Sequence, residues 1–383
     1  MRPTRALIDL GAIRYNLRQV RQQVGRSTAV MAVIKANAYG HGMIPVAKSI
    51  LKHHLAEYFG VAIVEEGITL RKNNVKTPTL VFTAPNDDQL AEYVRYNLEP
   101  TICSMKTVRS LNQIAAARGK TAAVHIKVDT GMGRIGVTMN DAVEFIEHVR
   151  RLKNVFVKGI YTHFATSDEW NLSFAQKQLQ AFHDLLQTIA SRGIRIPFKH
   201  CANSGAILQL KNSYFDMVRP GIMMYGYYPS HETRTTLPLK PAMSIRSKIG
   251  FLKSVKKGTS ISYGRKYIAP RETFIASVTA GYADGISRRL TNEREGRHGI
   301  QRHKASALIN GKRFPIVGTI CMDQLMIDLG PKSSHKVGDD VVLIGKDKGK
   351  EISAWEISDN LGTIPYEICC AISERVPRVY LNG

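Results

Sequence analysis

From residue 29 onward, apolar runs of strand length alternate with stretches whose apolar residues recur at helical spacing. The runs are AVMAVIK (29–35), FGVAIV (59–64), TLVFT (79–83), EPTIC (99–103), AAVHIKVD (122–129), VFVKGIYTHF (155–164), FKHCAN (198–203) and YFDMVRPGIMMYG (214–226). Helical periodicity fills the gaps, most clearly over 87–96, 105–118, 140–151 and 172–192. Eight βα units in roughly 225 residues predict an α/β fold, a (β/α)8 barrel of the TIM type. An open doubly wound sheet is the main rival, and eight consecutive units favour closure. After GYYPSHETRTTLPLKP the texture changes. From Ala242 the chain reads as AMSIRSKIGFLKSV, TFIASVTAGYADG, an Asn310–Gly311 turn inside KASALINGKRFPIVG, then DQLMIDLG and DDVVLIG, all strand and hairpin signals. The expected domains are a barrel over 1–235 and a mostly β C-terminal domain over 236–383. The first dozen or so residues fit either.

Composition changes this picture little. The chain has 383 residues, 44% hydrophobic and 22% charged, so it is of the ordinary globular class and long enough for two cores. Charge is less ordinary: 54 Lys and Arg against 31 Asp and Glu give +23 and a pI near 9.9, which raises nucleic acid, anionic lipid or an acidic substrate as partners. No Lys/Arg run dominates, however. The densest basic stretch, RRLTNEREGRHGIQRHK (288–304), contains Glu293 and Glu295 and no aromatic residue to stack on a base, so it reads as a solvated surface insertion and no nucleic-acid partner is expected. The five cysteines are scattered without CxxC or zinc-like spacing, which predicts no metal site and a reducing, cytoplasmic setting. The vicinal Cys369 and Cys370 read as two buried core thiols. Asp9 interrupts the N-terminus before an apolar targeting segment forms, and no run reaches bilayer length, so no membrane partner is expected.

In a closed barrel, catalytic side chains come from the C-terminal ends of several strands. Here those ends carry Lys35, then Lys127 with Asp129, then His163, then Asn203 and Ser204, then Arg219. Taken singly, each has a structural explanation: a snorkelling lysine, a core histidine, an ion-paired arginine. Five such positions on different strands of one barrel point instead to a site. A desolvated lysine suits Schiff-base chemistry, because only the neutral amine attacks a carbonyl. In CANSGA, Ser204 and Gly205 open a helix, and RPGIMMYG sets Gly221 and the Ile222 amide after the last strand. Such N–H groups make an anion site of the kind barrels carry after strands seven and eight. A lysine facing a phosphate cup points to pyridoxal 5′-phosphate.

The segments AVIKANAYGHG, KVDTGMGRIG, YTHFATSD, HCANSGA, VRPGIMMYG, SYGRKY, GYADGISRRL, GTICMDQLMID and LGTIPYEI follow one another across essentially the whole chain. With them the sequence closely resembles the pyridoxal-phosphate-dependent alanine racemases, of fold type III. The resemblance implies that Lys35 holds the cofactor covalently and is one of two catalytic bases. Tyr39, Ser204, Gly221, Ile222 and Tyr366 match the phosphate contacts, with Asn203 beside them. Arg219 matches the arginine facing the pyridine nitrogen, and His163 the histidine that bonds it. The second base is Tyr263, contributed by a partner subunit, so the expected unit is a homodimer with shared sites. Arg134 and Met322, the latter also from the partner, match the groups that receive the substrate carboxylate, and Asp323 supports them. Tyr263, Tyr282 and Tyr366 match the residues that narrow the entrance, with Asp168 further out. Lys127 matches a lysine that is often carboxylated in such racemases.

Racemisation needs a proton taken from one face of Cα and another delivered to the opposite face, which two flanking bases provide. A free tyrosine has a pKa of about 10, so Tyr263 needs positive neighbours, for which Arg134 and the His163–Arg219 pair are candidates. Arg219 cannot give a proton to the ring nitrogen, which predicts a weaker electron sink and suppressed transamination. The expected function is interconversion of L-alanine and D-alanine, supplying D-alanine for cell-wall peptidoglycan. The alternatives are a racemase of another small amino acid such as serine, one hydroxyl larger, and a fold-type-III amino-acid decarboxylase, in whose pattern SYGRKY has no match. A single-domain pyridoxal-phosphate-binding protein would lack everything after about Ala242.

Overall fold

The computed structural model describes residues 2–291, 293–295, 300–302 and 305–383. The chain divides into two compact units, one of Gly11–Ala38 with Gly42–Pro241, the other of Met1–Leu10, Tyr39–His41 and Ala242–Gly383.

In the first unit eight parallel strands are β1 (Ala29–Val33), β2 (Tyr58–Val61), β3 (Thr79–Val81), β4 (Glu99–Ile102), β5 (Ala122–Asp129), β6 (Val155–Tyr161), β7 (Phe198–His200) and β8 (Met217–Val218). They are hydrogen-bonded in the order β8-β1-β2-β3-β4-β5-β6-β7. The ring is completed by Asp216 N–H to Lys199 O at 3.1 Å and Arg219 N–H to Ala202 O at 2.9 Å. Helices such as Val64–Lys72, Met105–Ala117 and Ser173–Ser191 bury one apolar face each, as the 3.6 periodicity requires. Inside the barrel, Met31, Tyr58, Leu80, Tyr161 and Met217 pack into one cluster drawn from five strands. The result is a (β/α)8 barrel.

Several strands stop short of their expected ends. β1 ends at Val33 rather than Lys35, β6 at Tyr161 rather than Phe164, and β7 at His200 rather than Asn203. β8 shrinks to two residues because Pro220 has no N–H for a ladder, and Ile222–Tyr225 then turn as a 3-10 helix. Lys35, His163, Asn203 and Arg219 therefore sit just past the strand ends, whereas Lys127 and Asp129 remain on β5.

The second unit is mostly β. Its strands β9 (Met243–Val255), β10 (Thr273–Val278), β11 (Ser306–Ile309), β12 (Lys312–Val317), β13 (Leu325–Gly330) and β14 (Asp340–Asp347) pair antiparallel in a closed ring, β9-β10-β13-β12-β11-β14 and back to β9. The expected Asn310–Gly311 hairpin joins β11 to β12 with φ 50° and 76°, the left-handed pair a two-residue turn needs. Arg5–Asp9 pairs with β9, so the N-terminal strand belongs to this sheet. Within the basic stretch, Glu293–Glu295 pairs with Ile300–Arg302 as a hairpin. The surface-loop expectation for 288–304 otherwise falls largely outside the described residues. The vicinal cysteines divide: Cys369 is buried, but Cys370 is exposed, since it lies on the outer face of the short helix Pro365–Ala371. Among the described residues no helix is long and apolar enough to cross a membrane.

Candidate active site

The site begins where β1 ends. Lys35 is half-buried and opens a turn in which Ala36, Asn37, Ala38 and Tyr39 all have φ between 51° and 55°. Four consecutive non-glycine residues in the left-handed region cost about 1–2 kcal/mol each, so the surroundings must hold them there. Two side chains do so. Glu66 accepts Ala36 N–H at 2.5 Å with one oxygen and Ala62 N–H at 2.7 Å with the other, while Asn37 Oδ1 accepts Met43 N–H at 2.8 Å. Lys35 thereby leaves the strand direction at a defined angle.

Four cationic residues converge electrostatically on His163. Arg219, Lys127, Arg134 and Lys35 all act with burial to hold its imidazole well below the usual histidine range, so it is neutral. The positive charge of the His163–Arg219 pair is therefore carried by Arg219 alone. That guanidinium is buried, and its Nη2 donates to Thr162 O at 2.8 Å, Cys201 O at 3.0 Å and His163 Nδ1 at 3.2 Å. Its Nη1 donates to His200 Nδ1 at 2.8 Å. None of these acceptors is a carboxylate. Lys127 is buried, and burial with Arg134 and Arg219 nearby pushes its ammonium down to about 8. Burial also raises the Asp129 carboxyl, but the amides of Gly131 and Gly133 at about 3 Å outweigh it and hold the group ionised.

Beside Arg219 lies a cup of backbone amides. Ser204 Oγ accepts Gly221 N–H at 2.9 Å and ties the loop after β8 to the helix Ser204–Gln209. Asn203 caps that helix, accepting Ala206 N–H at 3.0 Å and the Ser167 hydroxyl at 2.7 Å. Among the described residues no acceptor takes the amides of Ser204, Gly205 or Ile222, all buried. Buried N–H groups left open in this way fit a phosphate. Asp168 lies on the loop after β6; its main-chain carbonyl accepts the Ser230 and Thr233 hydroxyls, and burial raises its carboxyl.

The other expected residues belong to the second unit. Tyr39 packs its ring 5.9 Å from that of Tyr366, and a Cβ on Gly40 would come 2.2 Å from Cys369 O. Tyr263, Tyr282 and Met322 occupy three loops laced together. The Thr319 hydroxyl donates to Tyr263 O at 2.7 Å, and the Ser262 hydroxyl to Thr319 O at 2.6 Å. Tyr282 N–H reaches Cys321 O at 3.0 Å, and Ala283 N–H reaches Met322 O at 3.1 Å. The three side chains remain 72%, 40% and 51% exposed. Asp323 pairs with Arg375 at 2.6 Å.

Four residues of the first unit escaped the sequence reading: Glu66, Glu99, His125 and His200. His125 and Lys127 share one face of β5 by the two-residue period, a signal that would have found the histidine. The two glutamates lie at the N-terminal end of a helix and of a strand, where nothing local marks them. Among the described residues no group of three His, Cys, Asp or Glu side chains is placed to hold a metal ion.

Comparison with known proteins gives a consistent answer. The alanine racemase N-terminal domain family matches residues 8–229 and the alanine racemase C-terminal domain family residues 242–380. A protein called alanine racemase 2 from Caldanaerobacter subterraneus subsp. tengcongensis is 44% identical over 100% of this chain and 95% of its own. The alanine racemase of Clostridium difficile 630 superposes with a TM-score of 0.92 at 38% identity, covering 99% of this chain and 96% of that one. A histidine racemase from Leuconostoc mesenteroides superposes with a TM-score of 0.89 at 25% identity, covering 100% and 98%.

Proposed function

The chain belongs to the alanine racemase family, pyridoxal 5′-phosphate enzymes that interconvert L-alanine and D-alanine, and from that premise we propose how its residues divide the work. When bound, the cofactor supplies an electron-withdrawing ring that makes the substrate Cα–H acidic. Lys35 holds the cofactor and moves the proton on one face of Cα; Tyr263 of a second copy moves it on the other. Ser204, Gly221 and Ile222 receive the phosphate with Tyr39 and Tyr366, and Asn203 keeps the helix at their edge in place. Arg219 meets the ring nitrogen as a donor, His163 holds Arg219, and Arg134 with the second copy's Met322 receives the substrate carboxylate. Asp323 orients the Met322 loop through Arg375. Tyr282 and Asp168 line the approach, keeping it suited to a small amino acid.

The observation that carries this reading is the buried Arg219, whose acceptors among the described residues are all neutral, set beside buried amides that none of the described residues accepts. Positive charge and open donors together call for an anion with a second, neutral acceptor, which a phosphorylated pyridine is. Alanine as substrate follows from the relatives, because a histidine racemase shares the architecture at 25% identity and the fold alone leaves the side chain open. The exposed Tyr263, Tyr282 and Met322 support a homodimer in which the mostly β unit of one copy completes the barrel site of the other. Five free cysteines support a reducing cytoplasm, where the product would feed cell-wall peptidoglycan.

The test is incubation of cofactor-loaded protein with L-alanine in D2O, following D-alanine and deuterium at Cα together. Both should appear, and both should vanish in Lys35→Ala. Exchange without inversion would remove Tyr263 as the second base, and neither product would overturn the assignment of the site.

A further inference from the structure

Arg219 is the last link of a buried chain that crosses the barrel. Its Nη1 donates to His200 Nδ1 at 2.8 Å, and His200 Nε2 lies 2.9 Å from His125 Nδ1. His125 Nε2 lies 2.9 Å from one oxygen of Glu99, and the other oxygen accepts Lys158 Nζ at 2.6 Å. His125 and His200 are fully buried, and Glu99 is 6% exposed. His200 stacks on Tyr161 at 4.8 Å and 5°, which fixes its plane. Gly159 makes room for the other ring: a Cβ there would come 2.1 Å from His125 Nδ1.

The direction of every bond in this chain is forced from its two ends. A guanidinium only donates, so His200 Nδ1 must accept, and the neutral ring carries its proton on Nε2. That proton is given to His125 Nδ1, so His125 in turn carries its own proton on Nε2 and gives it to Glu99. Glu99 only accepts when ionised. Burial raises its carboxyl, yet the bonds from His125 and Lys158 outweigh burial and leave it below the usual range. Burial with Arg219 and His125 keeps His200 neutral, and burial holds His125 down despite Glu99. At Arg219, Nη2 is held by two carbonyls and His163, whereas Nη1 has His200 as its acceptor.

We propose that Glu99, at the opposite end of the barrel strands, is a positioning residue for Arg219, acting through the tautomers of His125 and His200. The inference rests on the reading that Arg219 meets the cofactor ring nitrogen. Glu99→Gln keeps the shape but offers one acceptor oxygen to two donors, His125 and Lys158. If that oxygen turns to Lys158, the amide NH2 faces His125, both tautomers must reverse, and a donor on His200 Nδ1 confronts Arg219.

The test uses the holoenzyme labelled with 15N-histidine. In the wild type, ring 15N shifts should report protons on Nε2 of both His125 and His200; a proton on Nδ1 of either would overturn the inference even if no variant folds. In Glu99→Gln, at least one tautomer should change, the visible absorption band of the bound cofactor should shift, and kcat should fall by about tenfold or more with KM for alanine nearly constant. An unchanged band with unchanged kcat would overturn it. Arg219→Gln separates the two readings. If that variant leaves the band unmoved, Arg219 does not face the ring and both readings fail; if it moves the band and Glu99→Gln does not, only the role of Glu99 fails. In an Arg219→Gln background, Glu99→Gln should shift the band no further, because its effect passes through the arginine.

Discussion

Lys127 shows how a single side chain is set by neighbours no local pattern reveals. Burial and two nearby arginines bring its ammonium down to about 8, so the neutral amine forms in the physiological range. A neutral amine adds CO2 to give a carbamate and one proton, turning a cation beside Arg134 into an anion that braces it. Carboxylation should therefore rise as pH is raised through about 8, read as incorporation of 13CO2 by NMR of intact protein; no incorporation at any pH would refute it. Arg219 carries a second prediction at this scale. Replacing the permanent donor with a carboxylic acid, Arg219→Glu, allows a proton to be shared with the ring nitrogen and strengthens the electron sink. Transamination should rise by at least about tenfold relative to racemisation, measured as pyruvate formed per D-alanine; an unchanged ratio would sink the idea.

Among the elements, the turn from Lys35 to Tyr39 is one that the hydrophobic pattern misreads. AVMAVIK looks like one strand because its apolar run is unbroken, yet the strand ends at Val33 and the chain turns left-handed. Alanine has no local preference for that region; the turn exists because Glu66, 30 positions away, takes the Ala36 amide. A β-branched side chain is worse there than alanine, so Ala36→Val should lower stability by about 1–2 kcal/mol, read from denaturant melts. Ala36→Gly should be neutral or stabilising. Equal melts for Val and wild type would show that the left-handed turn is absent in solution.

For the whole molecule, the exposure of Tyr263 and Met322 leads to a mixing experiment. If each site joins Lys35 of one copy to Tyr263 of another, Lys35→Ala and Tyr263→Phe are each inactive alone. Their mixed dimers then hold one intact site of two, so unfolding and refolding an equal mixture should restore about a quarter of wild-type activity. No recovery in a mixture shown to be dimeric would place both bases in one chain.

The alternation of strands and helices, the change to hairpins after Ala242 and the polar residues at or just past the ends of five barrel strands were legible in the sequence, because each depends on side-chain periodicity and turn chemistry within a few residues. The same local pattern singled out Lys35, His163, Ser204 and Arg219 as candidates, whereas Tyr263 came only from the resemblance to the racemase family. Tertiary structure alone decided the rest. His125 meets His200 across 75 positions and Glu99 across 26, and Glu66 reaches Ala36 across 30. Such pairs leave no periodic trace. Their bond directions follow from what the folded barrel buries together, where an unmatched donor or acceptor is costly.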